Sequence, residues 1–426
     1  MLWTCIPGLM RPCRRYDNTR LCTFLERSRS CPLDVHDVRC AFNQARVALL
    51  LEQRHRWRAA SQFIIDRLLV QHMQNAQIHS LDLPLLESAE VLFEVRLGDC
   101  PGLDILKDPH LPRLKSLTLW NSVAPWSILE AWLRPTLVDL TVDFNMRSIP
   151  PAKPSSAAAW ASILRNTPAL RSLSLLNALP ETVPDPDIAP LSAEQQTHLP
   201  CLRQLTLKAK RSGVLCAYTH LLYHLRIPWS TKIVVEHATD PFLLRISPER
   251  YSDALRNYKL IIPAFLRNTA AIVEESRLAA LKRTGPISAA ISWNNDKLTV
   301  CVQDMTSSCT LLHIMVPFEQ EGYSSLLRPD VEEMVETICA KCPLVREASK
   351  LVLLCCSPRV WTHLALAQVE DLEISYASLP AFVDVMMACP EGFMTRLKDV
   401  QISGIPSDAV ANKLMHRLAD AFAQRH

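Results

Sequence analysis

One phrase recurs along this chain and limits what it can fold into. LPLLESAEV (83–91), LPRLKSLTL (111–119), TPALRSLSL (167–175) and LPCLRQLTL (199–207) share one frame, and RPTLVDLTV (134–142) fits it too. The frame is [L/T]-P-x-L-x-[S/Q]-h-x-h, with h apolar. Its anchor leucines are Leu86, Leu114, Leu137, Leu170 and Leu202, spaced 28, 23, 33 and 32 residues apart. The last three positions alternate in, out, in, which is the period of a strand with one face buried. The anchor leucine enters the same core from the preceding turn. Proline before it stops the previous helix and presets an extended approach.

This is the L-x-x-L-x-L logic of leucine-rich repeats. A single unit cannot bury its apolar face alone, so neighbours must stack. The intervening segments read as helices: SSAAAWASILRN (155–166), with Trp160, Ile163 and Leu164 on one face, and shorter ones at 126–133 and 217–225. A strand and a helix, repeated, predict an α/β solenoid with a curved, mainly parallel sheet. The repeat lapses at 240–285, which is helical in pattern, clearest from Leu266 to Lys282. AAISW (289–293), LTVCVQD (298–304) and CTLLHIMV (309–316) follow, with Asn294, Asn295 and Asp296 as a hairpin signal. We therefore expect a middle antiparallel insertion.

Repeat-like units then resume. A helix starting near Pro329 carries Val331, Met334, Val335 and Ile338 on one stripe. KLVLLCC (350–356), VEDLEIS (369–375) and LKDVQIS (397–403) read as strands. The chain closes on an amphipathic helix, Ser407 to Gln424, with Val410, Leu414, Leu418 and Phe422 inward and Ser407 as N-cap. The expected parts are 1–60 (first strand and helix), 61–239 (repeat units), 240–320 (insertion) and 321–426 (further units and capping helix).

Composition narrows the function. Hydrophobic residues at 49% and charged residues at 21% are globular values. A net charge of +3 over this length gives no electrostatic support for nucleic-acid binding. The 426 residues hold only eight glycines, with no GK[ST]. Phosphate-cradling loops need glycines close together, so nucleotide chemistry is not expected. MLWTCIPGLM lacks the layout of a secretory signal, and no apolar run approaches the ~18 residues of a membrane helix. These features predict a cytoplasmic or nuclear protein with reduced cysteines.

No catalytic constellation assembles. His220 and His224 have the i, i+4 spacing of helix ligands but lack a glutamate between them and a third ligand. Cys339 and Cys342 form a lone CxxC at a helix end, read as core cysteines. Cys355 and Cys356 fall in a strand. Cys5, Cys13, Cys22, Cys31 and Cys40 are evenly spaced without a ligand pattern. Glu332, Glu333 and Glu336 read as a solvated helix face. The basic runs RHRWR (54–58) and RPCRRY (11–16) read as surface. A hydrolase or redox enzyme would need Cys342 or His224; no metal or cofactor is expected. What remains is surface. The outward residues of the frame are Ser116, Thr118 and Trp120; Asp139, Thr141 and Asp143; Ser172, Ser174 and Leu176; and Gln204, Thr206 and Lys208. They would line a concave face that grips a protein, with Trp120 as an anchor.

Before the repeats lie LWTCI (2–6), FLERSRSCPLDV (24–35) and a helix ending QRHRWR. Their order resembles the F-box-domain family of mushroom-forming fungi, through Leu2, Trp3 and Ile6, then Leu25, Arg27, Ser28, Pro32 and Leu33, then His55, Arg56 and Trp57. PLDV would be the first strand, and Trp57 would plug the core. The resemblance implies substrate recognition for a cullin-type ubiquitin ligase through a Skp adaptor. In that family the F-box precedes the LW phrase. This sequence begins inside the phrase, so Leu2, Trp3 and Ile6 would be its remnant. A repeat scaffold without a ubiquitin link is the alternative.

Overall fold

The computed structural model describes residues 18–38, 44–93, 102–120, 126–144, 156–182, 194–209, 212–228, 231–237, 286–294, 297–306, 309–317, 324–354, 358–364, 368–388, 394–405 and 409–423. The protein is α/β with mostly parallel strands. It divides into two compact units. The first comprises Met1–Pro180, Glu194–Leu202 and His224–Arg226, and the second Glu181–Ala193, Arg203–Tyr223 and Ile227–His426.

In the first unit, six strands pair in chain order, each parallel to the next. They are β1 (Leu33–Val38), β2 (Trp57–Ile65), β3 (Ser88–Phe93), β4 (Ser116–Trp120), β5 (Asp139–Asp143) and β6 (Ser172–Leu176). A short parallel pair, β7 (Thr197–His198) and β9 (Leu225–Arg226), completes it. Residues 33–35 of PLDV thus open β1, with Pro32 just before it. Trp57 is wholly buried and stacks edge-on against Phe63 at 5.7 Å.

The recurring phrase is a β-turn followed by a joint. The anchor amide bonds the carbonyl three residues back: Leu86 to Leu83 (3.1 Å), Leu114 to Leu111 (3.3 Å), Leu137 to Arg134 (3.0 Å) and Leu170 to Thr167 (3.1 Å). Proline occupies the second place of each turn, where its fixed φ is the one required. The chain then locks onto its predecessor. Glu87 O accepts from Lys115 N (2.8 Å) and Ser116 N (3.0 Å). Lys115 O accepts from Val138 N and Asp139 N (2.7 and 2.9 Å), and Val138 O from Arg171 N and Ser172 N (2.7 and 3.1 Å). Each joint sets the register of the next strand, so Ala89, Leu117, Leu140 and Leu173 form one buried row and Val91, Leu119, Val142 and Leu175 the next. Full burial of one such leucine contributes about 1.5–3 kcal/mol.

Helices cover that apolar side. Trp126–Trp132 places Ile128, Leu129 and Trp132 in the core, with Trp132 against Phe93 at 5.9 Å. Ala157–Leu164 is capped by Ser156, whose Oγ accepts from Ala159 N at 3.2 Å. It buries Trp160, Ile163 and Leu164, and Trp160 Nε1 donates to Ala178 O at 2.9 Å.

The RHRWR run is at the surface only in part: His55 and Arg58 are exposed, but Arg56 and Trp57 are buried. Arg54–Arg56 is a 3-10 turn after the helix Gln44–Glu52, and Arg56 is 5% exposed. Its guanidinium donates to Cys31 O (3.1 and 3.0 Å), Ser28 Oγ (2.7 Å) and Gln53 Oε1 (2.9 Å). It ties the end of the first helix, Asn18–Ser28, to the entry of β2. Burial lowers its pKa from the ordinary value.

The second unit contains β8 (Gln204–Ala209), β10 (Lys232–His237), β11 (Ile287–Asn294), β12 (Lys297–Asp304), β13 (Cys309–Pro317), β14 (Lys350–Leu353), β15 (Asp371–Ser375) and β16 (Asp399–Ser403). Their order is β8-β10-β13-β12-β11-β14-β15-β16. The antiparallel expectation narrows to β12, which is antiparallel to both β11 and β13; β13 is parallel to β10, and β11 to β14. The hairpin therefore extends this sheet from within. Beyond it the same joint returns: Ser349 O takes Glu370 N and Asp371 N (2.7 and 3.0 Å), and Glu370 O takes Lys398 N and Asp399 N (2.8 and 3.1 Å).

Helix bounds differ from expectation by one or two residues at 126–133 and 155–166, and further changes follow in the second unit. The 217–225 helix begins at Ser212. The helix expected near Pro329 begins at Ser324, five residues earlier. The closing helix is Ala409–Ala423, with Leu414 and Leu418 buried. The helical pattern at 240–285, Cys355–Cys356 and the Ser407 cap lie outside the described residues.

Two substitutions test this packing. Leu117→Asp places an unpartnered charge in a row where Leu117 is 1% exposed, and should abolish the cooperative thermal transition seen by circular dichroism. Arg56→Ala removes every side-chain bond above and should lower stability by about 2–4 kcal/mol in urea titrations.

Candidate functional site

The opposite side of β1–β6 is built by the same registers. Two residues per step keep the outward positions on one face, and three rows result. The first runs Asp34, Ala59, Ser88, Ser116, Asp139, Ser172. In the second, His36 lies beside Ser61 across β1 and β2, and Glu90, Thr118, Thr141 and Ser174 continue across β3 to β6. The third, at the C-terminal ends of the strands, runs Ile64, Leu92, Trp120, Asp143, Leu176.

Nine expected site residues belong to these rows. Ser116, Thr118, Thr141, Ser172, Ser174 and Leu176 are half-buried, and Asp139 is exposed. Trp120 is 38% exposed, among the largest apolar side chains at the surface. Asp143 is not open to solvent as expected. It is 7% exposed, in register between Trp120 and Leu176.

Gln204, Thr206 and Lys208 lie on β8, in the second unit. Gln204 is exposed, but Thr206 is only 7% exposed, because it is paired with the apolar Val234 and accepts from Gln204 Nε2 at 3.3 Å. Lys208 pairs with Glu236 at 2.7 Å. Leu2, Trp3 and Ile6 lie outside the described residues.

Sequence reasoning missed the row partners Ile64, Leu92, Glu90 and Asp34. The alternation in SAEVLF holds the signal for β3. For β2 it is hidden by register shifts near Ala60 and by Gln62, whose φ is +51°.

Nδ1 of His36 and Oγ of Ser61 share a hydrogen bond across β1 and β2. The neighbouring carboxylate, Asp34, is taken by Arg58, whose Nε donates to it at 2.9 Å and whose pKa that contact raises. Ser61 also lies within a strand, where converging amides for an oxyanion are not presented. His220 and His224 are half-buried on the helix Ser212–His224. No group of His, Cys, Asp or Glu among the described residues could hold a metal.

Cys339 and Cys342 are buried, and burial pushes the Cys342 thiol upward. The Cys216 thiol is pushed up to about 12 by burial. A nucleophilic thiol needs the opposite shift. No described helix is long and apolar enough to cross a membrane. No protein-family model matches the chain, and no curated protein matches it in sequence.

The buried thiols give a pH prediction. A thiol raised from 9.0 to about 12 stabilises the fold fully below 9, and that contribution is lost as pH climbs toward 12. The urea midpoint should fall above pH 9. Cys216→Ala should flatten that decline.

Proposed function

We propose that this chain is a non-enzymatic protein-binding receptor, built as a leucine-rich-repeat-like solenoid and serving as the substrate-recognition part of an F-box-type ubiquitin ligase. The observation that carries the reading is the outward face of β3–β6, where Trp120 stands 38% exposed over rows of small hydroxyl side chains. A tryptophan held by a rigid strand is a strong anchor, because little entropy is lost when it is covered. The solenoid reading is supported by strands that pair in chain order and by the joint that recurs between Glu87 and Ser172 and again between Ser349 and Asp399.

In this reading the chain makes and breaks no bond. It holds a target protein in the cytoplasm or nucleus so that a ubiquitin-charged enzyme can reach it. The ubiquitin link comes from the resemblance carried by FLERSRSCPLDV and HRW. The Skp adaptor and cullin would be engaged through an F-box upstream of Leu2, Trp3 and Ile6.

The test is a pull-down of purified Skp adaptor with this chain and with a version extended by upstream coding sequence. Adaptor binding by the extended form alone is the expected result. Binding by neither form would remove the ubiquitin link and leave a repeat-built scaffold. Trp120→Ala should keep the melting temperature, since surface changes cost within about 0.5 kcal/mol, while weakening target binding about 30-fold.

A further inference from the structure

We propose that the outward face of the first unit receives an extended, basic segment of a partner polypeptide, with an arginine or lysine laid across Trp120. This rests on the reading of that face as the receptor surface and names the chemistry of its occupant.

Shape comes first. Ile64, Leu92, Trp120 and Leu176 make the row at the strand ends largely apolar, and only the buried Asp143 interrupts it. Four strand spacings of about 4.8 Å give this row a length of about 19 Å, which about six residues of extended chain would span. Beneath it, Thr118, Thr141 and Ser174 form a floor of short side chains. Such a floor leaves depth for a backbone and offers hydroxyls to its amides and carbonyls. A helix, about 10–12 Å across with its side chains, would meet the tryptophan before reaching those hydroxyls.

Charge selects the occupant. The outward positions of β3–β6 carry the carboxylates Glu90, Asp139 and Asp143 and no lysine or arginine. Composition does not explain this, because the chain holds slightly more basic than acidic residues, 46 against 43. Glu90 is half-buried and Asp139 exposed, so both can meet a cation at the surface. An acidic segment, or a nucleic-acid phosphate, would be repelled there. A guanidinium or ammonium on the indole face of Trp120 gains there and from Glu90, one row away on the neighbouring strand, whereas Asp139, four residues along β5 from the partner of Trp120, would meet a second basic residue of the segment.

The test measures fluorescence anisotropy of the full chain with three labelled peptides of about twelve residues. They alternate threonine with arginine, glutamine or glutamate. The arginine peptide should bind about tenfold tighter than the glutamine one and weaken as salt rises from about 50 to about 300 mM. Trp120→Ala should weaken it about tenfold and the Glu90→Gln/Asp139→Asn pair about threefold, at unchanged melting temperature; Trp120→Phe should restore most of the loss. Equal binding of the arginine and glutamine peptides, both lost in Trp120→Ala, overturns the basic preference and leaves the receptor face standing. Binding insensitive to every one of these variants removes the site altogether. Preference for the glutamate peptide, or an arginine-peptide Kd weaker than about 1 mM, overturns the proposal as well.

Discussion

The structure depends on one shared carbonyl. At the three steps from β3 to β6, one oxygen just before a strand accepts two amides from the start of the next: Glu87 for Lys115 and Ser116, Lys115 for Val138 and Asp139, Val138 for Arg171 and Ser172. A strand slipped by one residue would turn its leucines outward and its serines inward. The joint forbids that slip by fixing the first pair before the strand begins. The β-turn ahead of it, with proline in place, delivers the anchor leucine to the core at the same point. Across β3–β6, the buried rows and the outward rows inherit their alignment from these few atoms.

Charge reinforces the joint without defining it. Arg58 holds Asp34, and Lys115 reaches Glu87 at 3.6 Å, so signs alternate across the first four strands. Lys398 and Glu370 repeat the arrangement in the second unit at 2.7 Å. These pairs are exposed, and such pairs contribute about 0–1 kcal/mol. The leucine rows and backbone bonds therefore carry the stability, while the pairs favour one order of neighbours over another.

The sequence made the repeating parts legible because their physics is local. Proline, an anchor leucine and a two-residue alternation all lie within nine positions, and β3–β6 fall where that frame puts them. What escaped was non-local. Arg56 reads as one member of a basic run, yet its guanidinium is taken by Ser28 and Cys31, which lie 28 and 25 residues away. Asp143 and Thr206 follow the outward parity, but parity gives direction and not exposure. Both are 7% exposed, beside Trp120 and Leu176 in one case and Val234 in the other. Within β2, the irregular steps around Gln62 break the alternation that would have placed Ile64 beside Leu92.

The two faces of the first unit are under different constraints, and this bears on what the protein does. A core row such as Ala89, Leu117, Leu140 and Leu173 is fixed by packing, since each member touches the next and a lost or added methylene is felt. The outward rows have no such obligation. Serine and threonine there leave the backbone bonds and the core unchanged, so a large residue among them is not needed for folding. Trp120 is such a residue: it buries less than its neighbours on β4, and the frame does not require an aromatic at its position. A side chain that the fold can do without, on a backbone the fold holds rigid, is free to be chosen for what it meets. The same reasoning separates Trp120 from Trp57, Trp132, Trp160 and Trp361, which are fully buried and belong to the core.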